Sequence, residues 1–197
     1  GYDLLVTQKL TPYLDLNFYA LFGKIGANEK SLTRNLNFES KITAGGFNLS
    51  YNFSNFLSEE RSAEPYISLG IESFEFLSKT DMVDANGNQY YYWDDGSIRN
   101  LAQSDPNSEN AIRLQRDFKY ESDIRTLNID SFGKYPERSF AIPVGAGMNL
   151  RVWDKCNFRI GTTLHFTMTD YMEGVTSNSI GERKGDAKND RFLYTSF

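Results

Sequence analysis

The sequence reads as an all-β chain, an eight-stranded up-and-down antiparallel transmembrane β-barrel of which seven strands lie in this segment. Three observations point there: strict alternation in a long hairpin, a polar face built from small residues, and connections that are short and long by turns. The hairpin runs from Arg138 to Gly174 around the turn Asp154-Lys155-Cys156-Asn157. In its first arm Phe140, Ile142, Val144, Ala146, Met148, Leu150 and Val152 take every second position, with Ala141, Pro143, Gly145, Gly147, Asn149 and Arg151 between them. The second arm sets Phe158, Ile160, Thr162, Leu164, Phe166 and Met168 against Arg159, Gly161, Thr163, His165, Thr167 and Thr169. A period of two is that of a strand; a helix would repeat at 3.6.

Each arm has about 13 residues, more than the roughly 5 to 6 of a common strand and enough for the about 9 to 11 that cross a hydrocarbon layer at a tilt. A strand of a soluble sandwich would carry charges on its second face. Gly, Thr and Asn with an occasional ion suit the narrow polar lumen of a small barrel instead. Trp153 at the turn end and Tyr171 at the far end occupy the places where membrane barrels put aromatic girdles. A soluble lipocalin-like binder is the competing fold, and it requires Phe140, Val144, Leu164 and Phe166 to face inward.

Earlier strands follow the same logic. Tyr2, Leu4, Val6 and Leu10 alternate with Asp3, Thr7 and Lys9, with a phase break expected at Leu5 and Gln8, and Thr11-Pro12 makes a turn. From Tyr13 to Ile25, Leu14, Leu16, Phe18, Ala20 and Phe22 oppose Asp15, Asn17 and Gly23, while Tyr19, Leu21 and Ile25 blur the polar face. A third strand spans Lys41 to Phe53, where Gly45-Gly46 is expected to mark a bulge or a close contact. The fourth, Pro65 to Thr80, slips from Ile67, Leu69 and Ile71 to Phe74 and Phe76, which predicts a bulge near Glu72-Ser73. Arg191 to Phe197 supplies the seventh.

The segment from Asp81 to Glu137 is too long to be a structureless connection in a compact domain. It is expected to fold as a cap on one mouth, with a turn at Asp84-Ala85-Asn86-Gly87-Asn88, and a helix over Ala111 to Phe118 after Ser104-Asp105-Pro106. Connections are short at Thr11-Pro12, Ser54 to Glu64 and Asp154 to Asn157, and long at Gly26 to Phe38, Asp81 to Glu137 and Val175 to Asp190. Outer-membrane barrels have short periplasmic turns and long external loops, and bacterial ones have an even strand number. An eighth strand is therefore expected before Gly1. The chain shows no leader, and the export that this fold demands implies a processed or trimmed segment.

Composition narrows the classes. The net charge of −5 leaves no basic footprint for nucleic acid. One cysteine, Cys156, rules out an intrachain disulfide and a cysteine-based zinc cluster, and one histidine, His165, rules out a multi-histidine metal site. No stretch approaches about 18 consecutive apolar residues, as a membrane helix would.

Candidate residues are few. Asp15, Glu72, Arg151 and Arg159 point inward by phase and are expected, with His165, to form a lumen polar network, because ions in a narrow barrel must pair or be hydrated. Asp170 and Glu173 sit at a strand end, where solvated carboxylates are ordinary, so no catalytic residues are assigned and no enzyme activity is expected. Asp84, Asn86 and Asn88 imitate the start of a calcium loop, but Gly87 falls two positions early and Asp95 stands where a Glu belongs, so a plain turn is favoured and no metal or cofactor is expected. Tyr90, Tyr91, Tyr92 and Trp93 are a partner-binding candidate; burial within the folded loop is the alternative.

The runs Glu64 to Gly70, Phe74 to Asp81, Tyr91 to Arg99 and Ile142 to Gly147 resemble outer-membrane β-barrel domains of Bacteroidota, a small OmpA-like barrel type. That resemblance implies an outer-membrane location in a Gram-negative cell, lipid and other cell-envelope proteins as partners, and an association with type IX secretion or gliding machinery. It carries no catalytic residues. The expected role is a membrane anchor and structural subunit, with a small-molecule binding or conducting barrel as the alternative.

Overall fold

The computed structural model describes residues 1–29, 35–56, 62–153 and 156–197. Its main sheet contains β1 (Tyr2–Lys9), β2 (Leu14–Asn28), β3 (Asn37–Asn52), β4 (Ala63–Thr80), then, after the long loop, β9 (Arg138–Trp153), β10 (Cys156–Thr167) and β11 (Arg191–Ser196). These strands are hydrogen-bonded in that order, each antiparallel to the next. The sheet is therefore up-and-down, and β1 and β11, at its two ends, run in the same direction.

The sheet rolls until side chains of non-neighbouring strands meet across its concave face. Tyr19 of β2 reaches Glu72 of β4, Glu72 reaches His165 of β10, and Arg159 of β10 reaches Ser50 of β3. At the two edges the Tyr194 hydroxyl donates to Asp3 at 2.8 Å, but β1 and β11 share no ladder. The hydrogen-bonded sheet is open along that line.

Which face points outward distinguishes the two folds weighed above. Phe140, Val144, Leu69, Ile71 and Phe18 are exposed on the convex side, whereas Asn17, Ser50 and His165 are buried on the concave side. A lipocalin-like core is contradicted, because Phe140 is 63% exposed.

The expected irregularities in strand phase are absent. β1 pairs with β2 without interruption from Tyr2↔Phe22 to Lys9↔Asp15, so Leu5 simply faces inward. β3 and β4 stay in register from Asn52↔Tyr66 to Glu39↔Lys79, through Gly45-Gly46 and Glu72-Ser73 alike. What changes along these strands is polarity. Near the short-turn end Phe47, Leu49, Ile67 and Leu69 face out and Asn48, Ser50 and Asn52 face in. Toward the loop end Lys41 and Lys79 face out, while Ile42, Ala44, Phe74 and Phe76 face in and are nearly sealed from solvent. The side chains alternate faithfully throughout, and the faces exchange character midway. That exchange mimics a one-residue slip in the sequence.

The inner apolar cluster at the loop end joins Leu21, Ile42, Phe74, Phe76, Ala141 and Phe192 to Tyr135 and Met172 from the loops. The loop of residues 81–137 carries β5 (Tyr91–Tyr92), β6 (Ile98–Arg99) and β7 (Arg113–Leu114) as a small sheet. It also carries β8 (Ser122–Asp123), which pairs antiparallel with the end of β4, and the single turn α1 (Ile124–Leu127) capped by the Asp123 carboxylate. The helix expected over Ala111 to Phe118 does not form. One 3-10 turn at Ser108–Asn110 replaces its start, and Asn100 draws Ile112 into pairing by accepting its amide with its side chain and donating its own amide to the Ile112 carbonyl. So short a helix has little stability of its own to resist such pairing.

Gly70 lies in the inward row, and a Cβ there would meet the Phe47 carbonyl and come 2.8 Å from the Asn48 Cα. Gly45 faces outward, with the Tyr19 carbonyl 3.8 Å from an added Cβ. Gly70→Ala is expected to lower unfolding free energy by about 1–3 kcal/mol through overpacking. Gly45→Ala should stay within about 0.5 kcal/mol. Urea unfolding followed by tryptophan fluorescence distinguishes them.

Candidate functional site

Alternation delivers the inward side chains of β2, β3, β4 and β10 into one space. Glu72 is at its centre: Oε1 lies 2.7 Å from His165 Nδ1, and Oε2 accepts from the Tyr19 hydroxyl at 2.6 Å. Both members of the Glu72–His165 pair are almost wholly buried, and the imidazole stacks on Phe192 at 4.2 Å. Gly46 makes room for this, since a Cβ there would fall 2.7 Å from the Glu72 Cα. Chemically the trio is a charge-assisted brace: one carboxylate receives donors from strands on either side of it.

A second chain of contacts lies nearer the short turns. Asn17 Nδ2 donates to Asn48 at 2.8 Å and to Ser50 at 2.7 Å, Thr7 donates to Asn17 at 2.7 Å, and Arg159 donates to Ser50 at 3.2 Å. The Arg159 guanidinium sits 3.9 Å above the Tyr66 ring. The Tyr66 hydroxyl fills the room left by Gly147 and Gly161. Asp15 accepts from Asn52 at 2.7 Å, and Asn149 donates to Asn52 at 3.2 Å. A cavity of about 400 Å³ remains between Tyr19, Asn48, Tyr66, Arg159, His165 and Tyr194.

Of the five residues expected to form a lumen network, Glu72 and His165 are in contact, while Asp15 and Arg159 are held by amides and hydroxyls rather than by ions. Arg151 stands apart: it has inward phase, but at the rim, where it pairs with Glu64 at 3.6 Å in largely solvated surroundings. Charge-based reading missed Tyr19, Asn17, Asn48, Ser50 and Tyr66. Their inward phase is the available signal, and Tyr19, which blurs the polar face of its strand in the sequence, is a hydrogen-bond donor within it.

The aromatic candidates also move. Tyr171, expected at a membrane interface, stacks on Tyr135 at 4.6 Å in the loop-end cluster, because the chain turns inward after β10. The Trp153 side chain lies outside the described residues. Tyr90 is 5% exposed, with Asp117 N donating to its hydroxyl at 3.2 Å. Trp93 donates to the Leu101 carbonyl at 2.9 Å under the Arg99 guanidinium. Tyr91 and Tyr92 form one strand of the small sheet. Tyr90 is thus packed within the loop, while Tyr91, Tyr92 and Trp93 are half-buried. Asp84 receives the amides of Asn86 and Asn88 and the Asn88 side chain, which makes it the hub of a turn.

At the loop end burial pushes the Asp190 carboxyl up to about 7, opposed by its hydrogen bond from the Met172 amide and reinforced by Glu173 and Asp170. Burial also raises Asp170. Comparison with protein-family models, with curated proteins and with solved structures gave no match for this chain.

Glu72→Ala strips both donors of their partner and is expected to cost about 3–5 kcal/mol, the range for breaking a buried pair. Tyr19→Phe removes one hydrogen bond, about 0.5–1.5 kcal/mol. Shifts in urea midpoint check both. For Asp190 the folded value lies above the unfolded one of about 4. Its contribution is therefore full below that value, declines toward pH 7 and is flat above. Asp190→Asn keeps an acceptor for Met172 and should lessen the loss of melting temperature between pH 5 and pH 8.

Proposed function

We propose that this chain is a β-barrel of the Gram-negative outer membrane, serving as membrane anchor and structural subunit of a cell-envelope assembly. It holds the folded loop of residues 81–137 at the bilayer surface. The observation that carries this reading is the inverted polarity of the sheet. Leu4, Val6, Phe18, Phe47, Leu69, Val144, Ile160 and Leu193 stand exposed on the convex face, and together they touch every strand of the sheet. Soluble monomers rarely expose contiguous apolar patches beyond a few hundred Å². In hydrocarbon the same belt is the required surface, and a polar interior is its usual companion.

The edges of the belt fit the proposal. Above it the outward face turns to Lys24, Glu39, Lys41 and Glu75, and Lys24 pairs with Glu39 at 2.8 Å. Below it Tyr13, Tyr51, Phe53 and Phe56 form an aromatic group at the short-turn rim, with Tyr51 and Phe53 centroids 5.2 Å apart. These are the girdle aromatics of this reading, in the role first given to Tyr171. One strand antiparallel to both β1 and β11 would complete an even-numbered barrel of eight. Such a lumen, crossed by Glu72, His165, Tyr66 and Arg159, favours an anchor over a conducting pore. The tie to type IX secretion or gliding rests on resemblance alone.

The test compares two outward lysines. Leu69→Lys, mid-belt, is expected to destabilise the protein folded in lipid bilayers by about 2–4 kcal/mol. Thr43→Lys, above the belt and opposite Glu75, should be near neutral. Equal effects, or a protein that stays monomeric in water without detergent, overturn the membrane reading. Copurification from solubilised outer membranes under mild crosslinking tests the assembly role, and recovery of the chain alone overturns that part.

A further inference from the structure

We propose that the loop end of this molecule contains a binding site for a small uncharged ligand that combines a hydroxyl or amide head with an apolar ring or short chain. A pocket of about 260 Å³ opens where β3, the end of β4, the long loop and the segment after β10 converge. It is close to the lower bound of about 300 Å³ usual for ligand sites. Its walls are mostly apolar, with Leu36, Phe38, Met82, Tyr90, Ile124 and Val175 among them.

Into this wall is set a group of buried polar atoms without partners. Asp81 is 1% exposed, and its Oδ2 accepts from both Arg116 Nε at 3.2 Å and the Phe118 amide at 3.1 Å. Among the described residues its Oδ1 has no partner, nor do Arg116 Nη2, the Tyr92 hydroxyl and Asn35 Oδ1. Asp81, Tyr92 and Asn35 all line the pocket. Such atoms are few in native proteins and ask for an explanation, and several of them around one cavity ask for a common one. Together these three offer acceptors at Asp81 and Asn35 and a donor at Tyr92.

The charge of the site indicates what would fit. Asp81 and Arg116 neutralise each other, and Arg183 on the opposite wall is taken by Asp130 at 3.2 Å and the Gly174 carbonyl. Glu29 and Glu173 have partners of their own. Among the described residues, neither Asp81 nor Arg183 is left without an opposite charge for an ionic ligand to meet. Burial pushes the Asp81 carboxyl up and Arg116 opposes the shift. A head that both donates and accepts matches that carboxyl in either protonation state. The site is also prebuilt: the Asn37 side chain accepts from the Asp81 amide at 2.7 Å and from the Thr80 hydroxyl at 3.0 Å, which fixes the strand end that carries it. It lies beyond the apolar belt and does not depend on the membrane reading.

Three probes with one ring and different heads test this: benzamide, benzylammonium and benzoate, added to the full chain and followed by saturation-transfer NMR. Benzamide is expected to bind saturably and more tightly than either ion. Tyr92→Phe should weaken it about fivefold, the loss of one hydrogen bond. Ala27→Trp, which fills the pocket from its rim, should abolish binding. Without probe, Tyr92→Phe should leave the unfolding midpoint unchanged or raised, because its hydroxyl has no partner among the described residues. The proposal is overturned if benzamide does not saturate, if all three probes bind alike and ignore both variants, or if Tyr92→Phe alone destabilises the protein.

Discussion

The rolled sheet depends on Glu72. Backbone ladders connect each strand only to its neighbours and would be equally satisfied in a flatter sheet. The Glu72 carboxylate receives donors from β2 on one side and β10 on the other, strands that share no ladder with β4. A buried carboxylate in this position is costly unless paired, so the curvature that brings Tyr19 and His165 to it and the charge that needs them are mutually dependent. Gly46 is the local condition for both.

Around that brace the molecule solves two solvation problems in sequence along the same strands. Near the short turns the amides and hydroxyls inside pair with one another, and the apolar side chains outside stand exposed. Toward the loops the arrangement is that of a water-soluble protein, with Phe74, Phe76, Tyr135 and Phe192 packed inside and lysines and glutamates outside. Strands of 15 to 18 residues, as β2 and β4 are, have the length to serve both zones. The loops then grow out of the soluble zone, where irregular backbone can find water or a partner.

Much of this could be read from residue spacing. Strand identity, order and inward phase followed from alternation, and Thr11-Pro12 and Asp84 to Asn88 announced their turns. The errors share one cause. At Leu5 and Glu72-Ser73 a change of polarity imitates a change of phase, because a sequence records which residues alternate but not which solvent each face meets; at Gly45-Gly46 the expected close contact forms, at Gly46 against Glu72, without a bulge. The helix expected over Ala111 to Phe118 failed for a different reason: its start signals were local, while Asn100, in the turn after β6, decided the pairing of Ile112. The inner network was half legible. Charges such as Glu72 stand out in a sequence, whereas Asn17, Ser50 and Tyr66 become functional neighbours only through curvature, which no single strand encodes.

The line between β1 and β11 gives the molecule a direction of weakness. β1 is held along one edge by β2 and meets the last strand through the hydrogen bond of Tyr194 to Asp3, and all its residues are exposed. Of the long strands of the main sheet, all but β1 and β11 are flanked on both sides. A pull or a partner strand arriving at this seam would therefore peel the sheet from its first strand like a zip, leaving the Glu72 brace, which involves neither edge strand, to hold the remainder together.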